Sequence, residues 1–258
     1  MSAAELFDLT GRVALVTGAS SGVGVRLAQV LARGGASVVL VARRADRLAA
    51  VKAQIEQAGG HAIALAADVL DRRAMMAAYD QAESVFGCVT VLVNNAGIAH
   101  THRAVDLPEE EWRRVIATNL DAVFFWAQEA ARRMLAAGKG GAIINIASVL
   151  GFGVAKGTVA YAVAKSGVIQ LTKALGLELA FKGICVNAIA PGWIVTDINR
   201  DYLTSEAGAG IKREIPVGRF GEERDLDGAL LLLASDAGRF IAGTTIVVDG
   251  GQMVALRG

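Results

Sequence analysis

The stretch Thr17-Gly18-Ala19-Ser20-Ser21-Gly22-Val23-Gly24 joins a short β-branched run to a helical pattern. Glycines at such a turn let the backbone approach a pyrophosphate, whose charge is favoured by the N-terminus of the following helix. The spacing Gly-x-x-x-Gly-x-Gly is less common than Gly-x-Gly-x-x-Gly, so a purely structural turn is an alternative for this stretch taken alone. The turn predicts a dinucleotide site contacted by Gly18, Ser20, Ser21, Gly22, Val23 and Gly24.

Short β-branched runs and longer helical patterns alternate along the chain. This alternation is typical of a parallel sheet with helices on both faces, and it predicts a doubly wound α/β Rossmann fold with a seven-stranded sheet. The predicted strands are Arg12 to Thr17, Ala36 to Ala42, His61 to Ala66, Val89 to Asn94, Ala142 to Ala147, Ile184 to Ile189 and Thr244 to Val248. The predicted helices are Val23 to Arg33, Arg47 to Gln57, Arg72 to Phe86, Glu109 to Ala137, Ala160 to Lys182 and Asp225 to Ala234.

The length of 258 residues is at the upper end of what one α/β domain holds, so we expect a single dinucleotide-binding catalytic domain over residues 1–258. The segment from Trp193 to Glu222 interrupts the alternation and carries a short helical pattern of its own. Long inserts in compact domains are usually functional, so residues 193–222 are interpreted as a lid over the substrate. We expect this lid to be mobile without ligand and to close when the cofactor binds.

Composition argues against several classes of partner. Lys and Arg total 26 and Asp and Glu total 25, so no charge excess drives binding to nucleic acid or to an anionic membrane. The start of the sequence lacks the features of a signal peptide, and the apolar run from Ala229 to Ala234 is far too short to span a bilayer, so a soluble cytoplasmic protein is expected. Cys88 and Cys185 have no His or Cys at ligand spacing, so they are interpreted as core residues and no metal site is expected.

Polar groups follow the ends of two further predicted strands. Asp68 and Val69 close the third strand, where a carboxylate can accept a hydrogen bond from an adenine amino group, and Asn94-Asn95-Ala96-Gly97 closes the fourth, where small residues leave room for a ribose. Taken singly, Asp68 also suits the cap of a helix beginning near Asp71, and the two asparagines suit a turn. Their shared position beyond the carboxyl ends of parallel strands favours the cofactor interpretation, because ligands of open α/β sheets bind there.

Ser148 ends the fifth predicted strand, and Tyr161 and Lys165 stand one turn apart on the next predicted helix. Residues at this spacing share a helix face. A free phenol has a pKa of about 10 and a nearby ammonium favours the phenolate, so Lys165 is predicted to lower the pKa of Tyr161. Tyr161 would then act as the acid/base while Ser148 hydrogen-bonds the substrate oxygen. A Tyr and a Lys at this spacing also occur by chance, so the pair alone decides nothing.

Together these motifs resemble the classical short-chain dehydrogenase/reductase family, and the resemblance covers essentially the whole chain. The matching positions are Thr17-Gly18-x-x-x-Gly22-x-Gly24, Asp68, Asn94-Asn95-Ala96-Gly97, Asn119, Ser148, Tyr161-x-x-x-Lys165, Pro191-Gly192 with Thr196, and Val248-Asp249-Gly250-Gly251. The resemblance implies a catalytic tetrad of Asn119, Ser148, Tyr161 and Lys165. It also implies that Asn119 distorts its helix to hold a water that connects Lys165 to solvent.

The resemblance further implies cofactor contacts and an assembly. Lys165 would contact the hydroxyls of the nicotinamide ribose, and Ile194 and Thr196 would hold the carboxamide. The implied cofactor positions beyond the glycine turn are Asp68, Val69, Asn95, Ala96, Gly97, Tyr161, Lys165, Pro191, Gly192, Ile194 and Thr196. In such relatives the carboxyl-terminal strand lies at a subunit interface, so a homotetramer is expected, with the tail from Gln252 to Gly258 packed on a neighbour.

The end of the second predicted strand indicates which cofactor is preferred. An NAD site has a carboxylate there, which binds the ribose 2′-hydroxyl and would repel a 2′-phosphate. Ala42 occupies that position and is followed by Arg43 and Arg44, whose guanidinium groups can pair with a phosphate. NADP(H) is therefore the predicted cofactor, with NAD(H) as the alternative; the alternative for the two arginines is a solvated helix start.

The predicted substrate pocket is mostly apolar, being formed by Val149, Leu150, Phe152, Val154, Trp193, Ile198, Tyr202 and Leu203. Arg200 and Lys212 are candidate anchors for an anionic tail, and Arg132 and Arg133 suit either an acidic carrier protein or a solvated helix face. We expect reduction of a ketone or a 3-oxoacyl substrate. The alternatives are an NAD-dependent sugar or polyol dehydrogenase and a non-catalytic nucleotide-binding scaffold, although a scaffold needs no Ser, Tyr and Lys in this arrangement.

Overall fold

Seven strands form one sheet in which every neighbouring pair is parallel. The computed structural model describes residues 2–197 and 199–255. The strands are β1 (Val13–Thr17), β2 (Ser37–Ala42), β3 (His61–Ala66), β4 (Val91–Asn94), β5 (Gly141–Ile146), β6 (Ile184–Pro191) and β7 (Thr245–Val248). Their order, β3-β2-β1-β4-β5-β6-β7, confirms the predicted doubly wound fold with seven strands.

Helices cover both faces of this sheet. They are α1 (Ala3–Leu6), α2 (Val23–Arg33), α3 (Ala45–Gln57), α4 (Arg72–Phe86), α5 (Glu109–Ile116), α6 (Ala122–Ala136), α7 (Val159–Leu179), α8 (Arg200–Thr204), α9 (Glu206–Arg213) and α10 (Asp227–Ala234). Helix α1 was not predicted, although Ser2 and Glu5 form a capping box at its start. Across residues 2–197 and 199–255, no helix has the length and apolar character needed to cross a bilayer.

The prediction of one continuous helix from Glu109 to Ala137 is wrong, because the structure has two helices there. A π-helical turn, Ala117–Asp121, separates α5 from α6. Such a turn adds one residue to the helical ladder and is frequent at functional sites. The apolar spacing of the sequence continues across it, which is why the pattern alone indicated one helix.

The segment from Trp193 to Glu222 also differs in detail from its prediction. It holds two short helices, α8 and α9, where one was expected. Ser205 separates them, because its hydroxyl accepts a hydrogen bond from the Gly208 N–H and so caps the start of α9. Whether this segment closes on ligand binding stays a prediction.

The sheet lies between two apolar layers, one on each of its faces. Strand β1 is buried along its whole length, as expected for a central parallel strand covered on both faces. One layer packs Leu27 and Leu48 of α2 and α3 against the sheet, and the opposite layer packs Met75 and Trp126 of α4 and α6. The two layers fix the helices, and the helices in turn fix the loops at the carboxyl ends of the strands.

A chain of buried amides ties the centre of the sheet to α7. Parallel register places Asn94 of β4 beside Asn145 of β5. The Asn94 Nδ2 donates to the Asn145 Oδ1 at 3.0 Å, and the Asn145 Nδ2 donates to the Thr172 Oγ1 at 2.9 Å. Buried polar groups are stable when they are paired in this way. The chain therefore fixes the position of α7, the helix that carries Tyr161 and Lys165.

Candidate active site

The glycine turn brings two stretches of backbone unusually close. A Cβ on Gly24 would lie 2.3 Å from the Gly18 oxygen, and a Cβ on Gly18 would lie 2.8 Å from the Ala96 Cα. Gly18 also has a φ of +68°, which disfavours any other residue. Gly22 is the N-cap of α2 and makes no side-chain cap, so the first N–H groups of this helix lie at the turn without a capping side chain. This arrangement suits an anionic ligand such as a pyrophosphate.

A cavity of about 440 Å³ lies over this turn at the carboxyl ends of the strands. The predicted cofactor residues that line it are Gly18, Ser20, Ser21, Gly22, Val23, Gly24, Arg43, Arg44, Asp68, Val69, Asn95, Ala96, Gly97 and Thr196. Tyr161, Lys165, Pro191, Gly192 and Ile194 are outside this lining. Ala42, which the sequence places at the cofactor's ribose, also lines the cavity, and the structure adds residues that the sequence did not indicate, namely Ala67, Leu70, Ile98, Arg114 and Thr118. A cavity with a glycine-rich helix N-terminus and a basic edge fits a dinucleotide phosphate.

Two arginines stand at one edge of the cavity, beyond the end of β2. Both side chains are exposed. The Arg44 Nη2 donates to the Ser20 Oγ at 3.0 Å and to the Ser21 Oγ at 2.8 Å. Arg44 thus bridges the second strand to the glycine turn, and the two serines accept hydrogen bonds from it. Ala42, where an NAD site has a carboxylate, is buried at the wall of the cavity.

Asp68 shapes the loop that follows β3. Its Oδ1 accepts a hydrogen bond from the Leu70 N–H at 3.0 Å, which forms a local turn. The cap of α4 is Asp71, whose carboxylate accepts from the N–H groups of Arg73 and Ala74. Asp68 is therefore not the cap of this helix, and it lines the cavity as the cofactor interpretation requires.

Asn119 lies in the π-helical turn and is fully buried. Its Oδ1 accepts from the Ile98 N–H at 2.9 Å, and its Nδ2 donates to the Ile98 carbonyl at 2.8 Å. Both hydrogen bonds hold the loop that follows Gly97. The distortion that the family resemblance implied at Asn119 is present, and the side chain links that distortion to the wall of the cavity.

Ser148 and Tyr161 are brought together at the ends of β5 and α7. The Ser148 Oγ accepts from the Leu150 N–H at 3.1 Å and also shares a hydrogen bond with the Tyr161 hydroxyl. Burial raises the pKa of Tyr161 above its ordinary value of 10, and the hydrogen bond with Ser148 opposes that rise. Around neutral pH the Tyr161 phenol therefore holds its proton.

Lys165 is almost completely buried, with 4% of its surface exposed. Its Nζ donates to the Ile146 carbonyl at 2.6 Å and lies 5.6 Å from the centre of the Tyr161 ring. Burial lowers the pKa of Lys165 to about 8. The expected lowering of the Tyr161 pKa by Lys165 is not observed, because desolvation dominates both groups and the ammonium is directed to a backbone carbonyl.

The entrance to the predicted lid is held by an asparagine that the sequence analysis missed. The Asn199 Oδ1 accepts from the Thr196 N–H at 2.8 Å, and its Nδ2 donates to the Ile194 carbonyl at 2.9 Å. Gly192 packs so tightly that a Cβ there would lie 2.9 Å from the Asp249 Cα. These contacts hold Ile194 and Thr196 close to the carboxyl end of β6, and they place Thr196 against Gly22 of the glycine turn.

The predicted substrate residues divide into groups. Leu150, Phe152 and Val154 line a second cavity of about 610 Å³, while the Trp193 and Tyr202 rings of the predicted lid are in tilted contact with their centres 6.2 Å apart. Leu203 is buried. Val149 comes directly before Leu150 in a short 3-10 turn but does not line the second cavity. Ile198 lies outside the described residues. Arg200 is exposed 3.4 Å from Asp197, and Lys212 is exposed on α9.

The two arginines of α6 differ in their surroundings. Arg133 is engaged by Asp80, Glu83 and Glu129, each at 2.7 to 2.8 Å, and its side chain is only 13% exposed. It is therefore a structural residue and does not suit a docking role. Arg132 is exposed, as a solvated helix face predicts.

Residues 12–207 match the short chain dehydrogenase family. The chain belongs to this family. A 3-oxoacyl-[acyl-carrier-protein] reductase of Staphylococcus aureus is 42% identical over 93% of this chain and 97% of its own. A D-threitol dehydrogenase of Mycolicibacterium smegmatis is 37% identical over 96% of this chain and 95% of its own.

A solved structure of the family agrees with the fold described above. It is a gluconate 5-dehydrogenase from Burkholderia cenocepacia in complex with NADP and tartrate, with a TM-score of 0.94 and 36% identity over 99% of this chain and all of its own. Relatives of this kind are dehydrogenases and reductases that act on CH–OH groups. This short-chain dehydrogenase is accordingly an NAD(P)-dependent oxidoreductase that acts on such groups.

The buried ammonium of Lys165 predicts a pH dependence of stability. Its folded-state pKa of about 8 is below its ordinary value of 10.5, so over that interval the unfolded chain binds the proton that the folded chain has lost. The free energy of unfolding therefore rises with pH across this interval. Below about pH 8 the folded state bears the full cost of burying the charged Lys165. From about pH 7.5 to about 9.5, we expect the unfolding free energy to rise by about 2 kcal/mol relative to Lys165→Met.

Urea unfolding followed by circular dichroism at several pH values measures this difference. Lys173→Met is the matched control, because Lys173 is exposed on the same helix, and it should keep the wild-type pH slope. Equal slopes for the wild type and Lys165→Met would contradict the burial of a charged Lys165.

Proposed function

We propose that this protein transfers a hydride between NADP(H) and a carbonyl or secondary alcohol, with Tyr161 as the acid/base. The observation that carries the proposal is the convergence of Ser148, Tyr161 and Lys165 where the end of β5 meets the start of α7. Ser148 hydrogen-bonds Tyr161, and Lys165 lies one turn below it with its Nζ 5.6 Å from the ring centre. Ile98 connects this group to the cavity, since it lines the cavity and packs in the same apolar cluster as Tyr161.

Each residue of this group has a distinct proposed role. The nicotinamide cofactor supplies or accepts the hydride. Tyr161 gives its proton to the substrate oxygen during reduction and removes one during oxidation, and its raised pKa keeps that proton available at neutral pH. Ser148 donates a hydrogen bond to the same oxygen, which stabilises negative charge as it develops there. Lys165 positions the phenol and the cofactor ribose, and Asn119 holds the loop that carries Ile98.

The cofactor would be held at the glycine turn and at the edge beyond β2. The uncapped start of α2 suits the pyrophosphate, and Asp68 suits the adenine amino group. Arg43 and Arg44 suit the 2′-phosphate of NADP(H), while the small apolar Ala42 offers no carboxylate to repel it. The solved gluconate 5-dehydrogenase contains NADP, which is consistent with this assignment.

The proposed reaction is reduction of a ketone or a 3-oxoacyl substrate. The relative that reduces 3-oxoacyl-[acyl-carrier-protein] supports it, as do the apolar side chains of Trp193, Tyr202 and Leu203 on the lid. Oxidation of a sugar or polyol is the second candidate. The threitol and gluconate dehydrogenases among the relatives favour it, and so do two imidazoles, His100 and His102, on the segment whose His102 N–H donates to the Gly157 carbonyl four residues before Tyr161.

The arrangement of the whole chain completes the proposal. Residues 1–258 would form one catalytic domain in which residues 193–222 are the lid, and the cytoplasmic location stays a prediction.

A homotetramer is supported by β7, which is an edge strand of the sheet. Val247 on this strand and Met253 and Val254 after it are exposed apolar residues. Exposed apolar residues along a strand edge suit a subunit interface.

The role of Tyr161 predicts the effect of removing one oxygen atom. We expect Tyr161→Phe to lower kcat by at least about a hundredfold, because general acid–base catalysis contributes on that scale. Folding and cofactor affinity should stay nearly unchanged, because the ring keeps its packing. Steady-state kinetics and fluorescence titration of NADPH measure the two effects. Turnover close to the wild type would exclude Tyr161 as the acid/base.

The arginine edge predicts the cofactor preference. We expect Arg43→Ala to weaken NADPH binding by about 1.5 to 3 kcal/mol, the value of a lost charged hydrogen bond, and to leave NADH binding unchanged. Ala42→Asp should shift the preference toward NADH by adding the missing carboxylate. Arg47→Ala is the control, since Arg47 is exposed on the same helix start but outside the cavity. A wild-type ratio of kcat/KM that favours NADH would refute the assignment.

The homotetramer predicts a particle with four times the mass of the chain. Light scattering of the purified protein measures this mass. We expect Val254→Asp to shift the population toward smaller species, because it places a charge in the proposed interface. Val85→Asp changes an exposed valine on α4 and serves as the control. A wild-type protein that is a stable monomer would rule out the tetramer.

A further inference from the structure

The residues from Ile98 to His102 run from the cofactor cavity to the loop before α7. Ile98 lines the cavity and is fixed at both its N–H and its carbonyl by Asn119. At the other end, the His102 N–H donates to the Gly157 carbonyl at 3.1 Å, four residues before Tyr161. His100 lies between these two anchors in the chain, on the segment that joins Ile98 of the cofactor cavity to Gly157 of the second cavity.

Both ring nitrogens of His100 are shielded from solvent, and within residues 2–197 and 199–255 neither has a hydrogen-bond partner. The His102 ring is 5.2 Å away and tilted, which is a ring contact and not a hydrogen bond. Glu111 is in electrostatic reach of both imidazoles, but its carboxylate accepts from the Arg114 Nη2 at 2.7 Å. An imidazole always carries at least one N–H donor, and leaving it buried and unpaired is unfavourable. His100 is therefore arranged for a partner that the described chain does not supply.

We propose that His100 hydrogen-bonds a substrate hydroxyl other than the one that reacts, and so selects polyhydroxylated alcohols and their ketones. This inference rests on the proposed function and narrows its substrate class to the second candidate. It assigns His100 as a specificity-determining residue that binds substrate, with no part in proton transfer.

The hydrogen-bonding chemistry of the imidazole ring favours hydroxyl groups over a carbonyl or an alkyl chain. A neutral imidazole presents a donor at one ring nitrogen and an acceptor at the other, and a hydroxyl can pair with either, so neighbouring hydroxyls of a polyol can pair with both. A carbonyl only accepts, so it would leave the acceptor nitrogen unpaired, and an alkyl chain would leave both nitrogens unpaired. Ile98, which belongs to the apolar cluster beside this segment, offers no compensating polar group on its side chain. A site built to bind a hydroxyl strongly disfavours analogues that lack it.

The first test compares polyols with 2-butanol, a secondary alcohol that lacks neighbouring hydroxyls and has the carbon number of erythritol and threitol. Wild-type protein, His100→Phe and His100→Asn are assayed with NADP and with NAD on erythritol, threitol and longer polyols, and on 2-butanol. We expect His100→Phe to lower kcat/KM for the best polyol by about tenfold or more, with less than about a twofold change for 2-butanol. His100→Asn, which keeps a donor and an acceptor, should recover part of the loss. His61→Asn is the control, because His61 is exposed at the start of β3.

The outcomes of this assay separate the inference from the function on which it rests. If His100→Phe lowers turnover of polyols and 2-butanol equally, or of neither, the inference is wrong and the proposed function stands. If the wild type oxidises no alcohol and reduces no ketone with either cofactor, the proposed function fails and the inference fails with it.

A second measurement does not depend on the stability of the variants. The chain has three histidines, so the ring nitrogens of ¹⁵N-labelled His100 can be assigned in the wild-type protein. With the oxidised cofactor present, titration with the best polyol should shift the His100 ring resonances in a saturable way and leave those of His61 unchanged. Unshifted His100 resonances at saturating polyol would overturn the inference.

Discussion

The hydrogen bonds between Thr17 and Asn95 hold the two central strands together at the point where the chain order of the sheet reverses. The Thr17 Oγ1 accepts from the N–H groups of Asn95 and Ala96, each at 3.1 Å, and the Asn95 Nδ2 donates to the Thr17 carbonyl at 3.0 Å. This switch point is where open α/β sheets bind ligands. Since Gly18 follows Thr17 directly, the same hydrogen bonds fix the glycine turn and the floor of the cavity.

From this point, hydrogen bonds and packing run continuously to Tyr161, the proposed acid/base. Ile98 follows the clamped loop and is held by Asn119, whose π-helical turn separates two helices that would otherwise be one. Ile98 packs in the apolar cluster that includes Tyr161. The buried amides Asn94 and Asn145 fix the helix of Tyr161 from the other side. The cavity and Tyr161, the proposed acid/base, are therefore joined by one continuous set of contacts, which suits the preorganisation that catalysis requires.

Burial controls the ionisation of the site more than attraction between charges does. Desolvation disfavours the phenolate of Tyr161 and the ammonium of Lys165 together, so it raises the pKa of the first and lowers that of the second. Near neutral pH the phenol of Tyr161 and the ammonium of Lys165 are therefore both in their protonated forms, and the Lys165 Nζ donates a hydrogen bond to the Ile146 carbonyl. This balance differs from the expectation of a phenolate formed by an adjacent cation, because that expectation considered charge without burial.

The sequence by itself determined the sheet, the strand ends and the identity of the polar groups there, because side-chain periodicity and glycine spacing are local properties. Only the tertiary structure decided what those groups contact. It interrupted the helix at Asn119, gave Asn199 its role beside Thr196, and left both nitrogens of His100 buried without a partner. Each of these depends on residues far apart in the chain or on the burial of a side chain. The spacing of residues along the chain indicates neither the distance between two side chains in space nor the desolvation of a side chain.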